Sequence, residues 1–114
     1  MPILAAIDVG SNAMRLVVAS VDADRVPTSL EVIREPVRLG EDVFTGGIMG
    51  EATIDTAVAA FERFRTALDR YGVRWTRAVA TSAMREAMNR DMLVDRISQA
   101  SGIDVEVIGA EEEA

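Results

Sequence analysis

The sequence predicts an α/β fold: a mixed sheet entered through three consecutive strands, then continued by alternating helices and strands in the order β-β-β-α-β-α-β, with the helices packed on the sheet. Three observations carry this expectation. The β-rich segments 3–7 and 14–21 are separated only by a turn around Gly10-Ser11-Asn12, which implies a hairpin. Ile54, Val58, Phe61, Phe64, Leu68 and Tyr71 recur at three- or four-residue steps, the mark of one helical face. Beyond Gly72 a strand pattern, a helix pattern and a strand pattern follow in turn.

Residues 3–7 are continuously apolar, as expected of a strand buried on both faces. Residues 14–21 form its hairpin partner, and Asp22-Ala23-Asp24 supplies the next turn. Residues 28–39 read as a third strand with Leu30, Val32, Val37 and Leu39 apolar, and Pro36 marking a bend or an edge position. Residues 40–50 carry Gly40, Gly46, Gly47 and Gly50 and read as a loop. The long helix then starts at Glu51, has Asp55 near its start and Arg70 near its end, and stops at Gly72. Residues 75–80 are a fourth strand. Thr81-Ser82 can cap a second helix, with Met84, Met88, Met92 and Ile97 on its apolar side and Ser101-Gly102 at its end. Residues 103–109 complete the set as a last strand.

Composition bounds the chemistry. The 114 residues suit one domain, and 49% are apolar, enough for a core filled by aliphatic side chains and Met because only 4% are aromatic. The chain has no Cys and no His, which excludes thiolate and imidazole nucleophiles and metal ligands within it. It also has no Lys: all 12 basic residues are Arg, so a Walker-type loop with its phosphate-binding Lys is absent. Catalysis must then use carboxylates, hydroxyls, Arg, backbone N–H groups or an oxygen-bound metal. The net charge is −7 and the arginines are scattered among acids, which argues against a nucleic-acid surface. No apolar run approaches the ~20 residues of a membrane span, and the N-terminus makes a poor signal peptide. A cytoplasmic protein with no membrane partner is expected.

Three constellations could carry chemistry. Asp8 ends a strand of apolar residues, where a carboxylate is costly unless paired, hydrogen-bonded or near a metal. Gly10 can take positive φ and lets a phosphate approach the backbone, and the N–H groups at Ser11-Asn12 can point into one anion site. An ordinary hairpin whose Asp and Asn satisfy their own backbone accounts for the same residues. Second, Arg85 in Thr81-Ser82-Ala83-Met84-Arg85 lies in the first turn of a helix, where it opposes the dipole unless an anion docks there. Local pairing with Glu86 or Asn89 is the alternative. Third, Glu106 and Glu111 to Glu113 offer carboxylates near the end of a strand, fit for a general base or for solvated charge. Arg38, beside Gly40, could reach a polyanion or serve as an edge charge.

Taken together, four stretches resemble the exopolyphosphatase/guanosine pentaphosphate phosphohydrolase (Ppx/GppA) phosphatase family, specifically its N-terminal part. They are Ile7 to Leu16, Val37 to Glu41, Ala80 to Asn89 and Glu106 to Ala114, in family order and spanning almost the whole chain. The resemblance implies a ribonuclease H-like fold of the actin-like ATPase superfamily, with residues 1–114 as an N-terminal domain truncated before the family's second phosphate loop. It assigns Gly10, Ser11 and Asn12 to phosphate binding, joined by Arg15, Arg38, Thr81, Ser82 and Arg85. Asp8 becomes a metal-side acid for Mg²⁺ or another divalent cation. Glu113 becomes the general base, with Glu112 as its neighbouring candidate.

The resemblance further implies a phosphoanhydride hydrolase that releases terminal phosphate from inorganic polyphosphate or guanosine pentaphosphate, and a homodimer when full length. A non-catalytic sensor of polyphosphate or guanosine tetraphosphate on the same fold is the alternative. The isolated fragment is expected to be inactive.

Overall fold

In the computed structural model, residues 2–113 are described, with side chains through Glu111. Strand β1 (Ile3–Val9) and strand β2 (Met14–Val21) form the expected hairpin, and β3 (Pro27–Glu35) extends it as an antiparallel meander. On its other edge β1 pairs in parallel with β4 (Trp75–Ala80), which pairs in parallel with β5 (Val105–Val107). The sheet order is therefore β3-β2-β1-β4-β5. This is the mixed sheet of the ribonuclease H-like fold: antiparallel neighbours are joined by short turns, while helices precede β4 and separate it from β5.

Among the described residues five helices accompany the sheet: α1 (Leu39–Gly46), α2 (Glu51–Tyr71), α3 (Ser82–Glu86), α4 (Arg90–Ser101) and α5 (Ala110–Glu113). Side chains alternate along the strands, so Ala5, Ile7 and Val9 of β1 and Met14, Leu16 and Val18 of β2 share one face. That face carries the core, closed by Phe61 and Phe64 of α2 and by Leu93 and Ile97 of α4. The two Phe rings meet edge to face, with centroids 5.3 Å apart. Arg63 of α2 clamps the edge of the sheet by a two-bond pair with Glu35, both at 2.8 Å.

Several expectations need correction. The glycine-rich stretch 40–50 is not all loop: α1 occupies its first part, because Leu39 and Val43 bury one side of a helical turn and Gly47 closes it at φ 79°. The third strand ends at Glu35 rather than residue 39, since Pro36 cannot continue the ladder. The second helix is two helices, broken where Ala87 turns extended at ψ 129°. The break resets the helical phase, so Met84 and Ile97 are buried while Met88 is 82% and Met92 is 47% exposed. The last strand is shorter than residues 103–109. The run at residues 3–7 is covered by helices on one face only, and Leu30, Val32 and Trp75 stand exposed on the other.

The N-terminus of α2 is held from outside itself. Gly50 sits at its N-cap without a side chain to offer, and Asp42 of α1 accepts the Gly50 N–H at 2.8 Å. A hydrogen bond from Thr53 and the one from the Gly50 amide hold the Asp42 carboxyl below its ordinary range, against a small opposing effect of burial.

Two expected outcomes follow from this packing. Truncating Phe61 or Phe64 to Ala should cost about 3–5 kcal/mol of unfolding free energy in a denaturant titration. A depressed folded-state pKa contributes stability above the unfolded value and loses it as pH falls. Asp42→Asn should therefore lower the melting temperature at neutral pH, and the gap to the parent should shrink below about pH 4.

Candidate functional site

The site forms where β1 and β4 end together. Val9 and Ala80 are register partners, so the segments beyond them leave the sheet side by side. The Gly10 N–H donates to the Ala13 carbonyl at 3.0 Å and closes the turn between β1 and β2. Gly10 does not use positive φ, in contrast to the expectation: among glycines only Gly47, Gly72 and Gly102 do. What disfavours a side chain there is space, since a Cβ would lie 3.1 Å from the Ala13 carbonyl oxygen.

Ser11 is the point of convergence. Its Oγ lies 3.2 Å from Ser82 Oγ at the start of α3, and its carbonyl accepts the Gly40 N–H of α1 at 2.8 Å. A Cβ on Gly40 would stand 3.1 Å from Ser11 Cβ and 3.0 Å from the Phe44 ring, so Gly40 is the residue that lets α1 approach. The structure thus gathers Gly10, Ser11 and Ser82, adds Gly40, and places Asn12 on the same turn, exposed. Thr81 donates its N–H to the Val9 carbonyl at 3.3 Å and tethers the end of β4 to the end of β1. Thr81 occupies the N-cap of α3 but its side chain makes no capping bond there.

Arg85 reaches away from its own helix: its Nη1 donates to the Ile108 carbonyl, just past β5, at 2.9 Å. Because α3 is only five residues long, Arg85 belongs to its last turn, where a cation is favourable. The dipole conflict expected of a longer helix does not arise. Arg90 donates to the Arg85 carbonyl at 2.7 Å, and the two arginines line a cavity of about 350 Å³ with Asp91, Val107, Ile108 and Gly109. Arg90 is absent from the sequence-based set. Its only signal was a second arginine five residues beyond Arg85.

The other candidates lie apart. Asp8 and Arg15 are cross-strand partners on the face opposite the helices, in a groove of about 290 Å³ with Ala6, Val17, Arg77 and Val79. Arg38 turns to Glu41 at 3.0 Å, beside Thr53 and Thr56, in a cavity that shares no residue with that of Arg85. Glu106 is exposed and meets Arg77 at 3.4 Å. The side chains of Glu112 and Glu113 lie outside the described residues; the backbone puts them in α5, directly after β5. A larger cavity of about 770 Å³, lined by Pro2, Leu4, Val21 and Trp75 among others, lies at the opposite end of β1 and is nearly apolar. Converging polar groups, not cavity size, mark the candidate site.

Gly40 was missed as a site residue because α1 was hidden among glycines. A glycine at the end of the alternating stretch Val37-Arg38-Leu39-Gly40 was the signal available.

Comparison with known proteins identifies the family and the fold. The sequence profile of the Ppx/GppA phosphatase family matches residues 17–114. Exopolyphosphatase 2 of Mycobacterium tuberculosis is 40% identical over 126 residues, covering 97% of this chain and 37% of the relative. The crystal structure of the Aquifex aeolicus Ppx/GppA family member superposes with a TM-score of 0.93 at 29% identity, covering 98% of this chain and 36% of that one. An exopolyphosphatase from Cytophaga hutchinsonii superposes with a TM-score of 0.92 at 35% identity, covering 97% and 35%. The chain spans about a third of the length of these relatives. With the profile matched over most of its sequence and solved members matched over nearly all of its fold, the chain belongs to the Ppx/GppA phosphatase family.

Proposed function

We propose that the chain supplies one wall of a cleft that hydrolyses a terminal phosphoanhydride, with inorganic polyphosphate or guanosine pentaphosphate as substrate. The observation that carries this is the convergence at Ser11, where a hydroxyl pair and the N-terminus of α1 meet at the shared end of two strands. Of the two hydroxyls only one can donate to the other, so the pair keeps a proton to offer a phosphate oxygen. Gly40, with no Cβ to crowd Ser11, lets the start of α1 approach the hydroxyl pair. Names of relatives add support, since two of those compared are called exopolyphosphatases.

In this proposal Thr81, Ser82 and Arg85 hold the terminal phosphates, with Arg15 and Arg38 further along the chain of substrate. Glu113 orients the attacking water and accepts its proton. The water oxygen bonds to the terminal phosphorus, the bridging P–O bond breaks, and the shortened chain leaves with the bridging oxygen. Asp8 suits one ligand of Mg²⁺, an ion that takes one or two carboxylates and completes its shell with phosphate oxygens and water. In this proposal the ion arrives with its substrate rather than sitting in an all-protein cage. When bound, the ion would neutralise phosphate charge.

Residues 1–114 alone should bind tripolyphosphate in a calorimetric titration and release little or no phosphate. Processive hydrolysis by this chain would contradict the assignment of one wall. In a polypeptide of the family's full length, Glu113→Gln should abolish release while leaving binding largely intact; binding without release in the parent would instead mark a sensor. Ser11→Ala should weaken tripolyphosphate binding about tenfold, the worth of one charge-assisted hydrogen bond. Gly40→Ala should weaken it as well, by forcing α1 away from Ser11, and isothermal titration of both variants checks this.

A further inference from the structure

We propose that Asn89 is a positioning residue for the phosphate cradle: it clasps the α1–α2 loop to the α3–α4 junction and so holds α1 and α3 together on Ser11. The inference rests on the phosphate-binding reading above and adds what keeps that cradle in shape.

Asn89 sits at the N-cap of α4, where an asparagine ordinarily bonds the first turn of its own helix. Here its side chain makes no capping bond. The carboxamide oxygen instead accepts the Met49 N–H at 3.0 Å, and the amide nitrogen donates to the Met49 carbonyl at 3.0 Å. Both ends of one amide are thus spent on one residue 40 positions away. The neighbouring Met88 N–H adds a third bond, to the Gly47 carbonyl at 2.9 Å. The Met49 side chain is 2% exposed, so the residue gripped by Asn89 is itself anchored in the core.

The clasp closes a loop of contacts. Helix α1 touches Ser11 through Gly40 at its start, and α3 touches Ser11 through Ser82 at its start. Their far ends are joined at Gly47, Met49, Met88 and Asn89. Helices of eight and five residues have no stability of their own and take their position from tethers at their ends. Ala in place of Asn89 leaves the amide and carbonyl of the buried Met49 without their partner. Asp removes the donor and sets a carboxylate against the Met49 carbonyl.

Native-state amide exchange and tripolyphosphate titration test this together. In the unmodified chain, the Met49 and Gly40 amides should exchange through one shared opening, with the same dependence on denaturant. Asn89→Ala and Asn89→Asp should each speed Gly40 exchange and weaken tripolyphosphate binding by about tenfold. Arg96→Ala removes a 2.9 Å bond between α4 and Asp55 of α2, away from the cradle, and should change both by less than about twofold. The proposal is overturned if folded Asn89 variants keep Gly40 protected, or if Met49 opens in the parent while Gly40 stays closed. The parent measurement decides the matter even where a variant does not fold. Failure of the unmodified chain to bind tripolyphosphate would count against the phosphate reading, while the exchange result judges the clasp separately.

Discussion

The parallel register of β1 on β4 is the constraint from which the rest follows. Val9 faces Ala80 at the last rung, so residues two steps beyond each strand, Ser11 and Ser82, come out at the same height. A slip of one residue would displace one strand by about 3.3 Å along the other and turn its side chains to the opposite face. The hydroxyl pair would part, and the buried positions of β4, Ala78 and Ala80, would leave the core. One register thus serves the packing of the helical face and the geometry of the cradle. The antiparallel β1–β2 hairpin makes the complementary demand, because its turn must fold back within four residues to place Ser11 against α1.

Much of this was legible in the residues, and the failures have physical causes. The apolar positions of α2 fell on a single face because nothing interrupts its period over 21 residues. The same rule misread Met88 and Met92, where a short irregular break restarted the phase. Periodicity cannot register such a break when no Gly or Pro announces it. Helix α1 was obscured for the opposite reason: glycines at both its ends read as loop, although Gly40 serves close approach and Gly47 serves termination. The apolar run in β1 was read as a strand buried on both faces, whereas the helices cover one; an apolar run carries no mark of which face is packed.

The site was legible in part. Spacing alone left the turn at Ser11 balanced against a plain hairpin. It gained meaning from contacts with Gly40 and Ser82, which lie 29 and 71 positions away by number and have no local signature. Resemblance to a family named Ser82 as a neighbour of Arg85, and the fold supplied its hydroxyl partner. Asn89 is the clearest case of what pattern does not reveal. It stands where a capping residue would stand, and only the tertiary structure shows its amide reaching Met49.

The 71-residue separation of the hydroxyl pair also bears on how the chain comes to exist. The three-strand meander consists of neighbours in sequence and can pair early, at little loop-closure cost. The cradle cannot: it waits for β4 to be synthesised and inserted beside β1. During translation at about 5–20 residues per second, that delay leaves the first turn formed but half-furnished for several seconds. Any ligand that needed both hydroxyls would therefore recognise only a chain whose long-range topology is complete, and its binding energy would be withheld from the nascent meander.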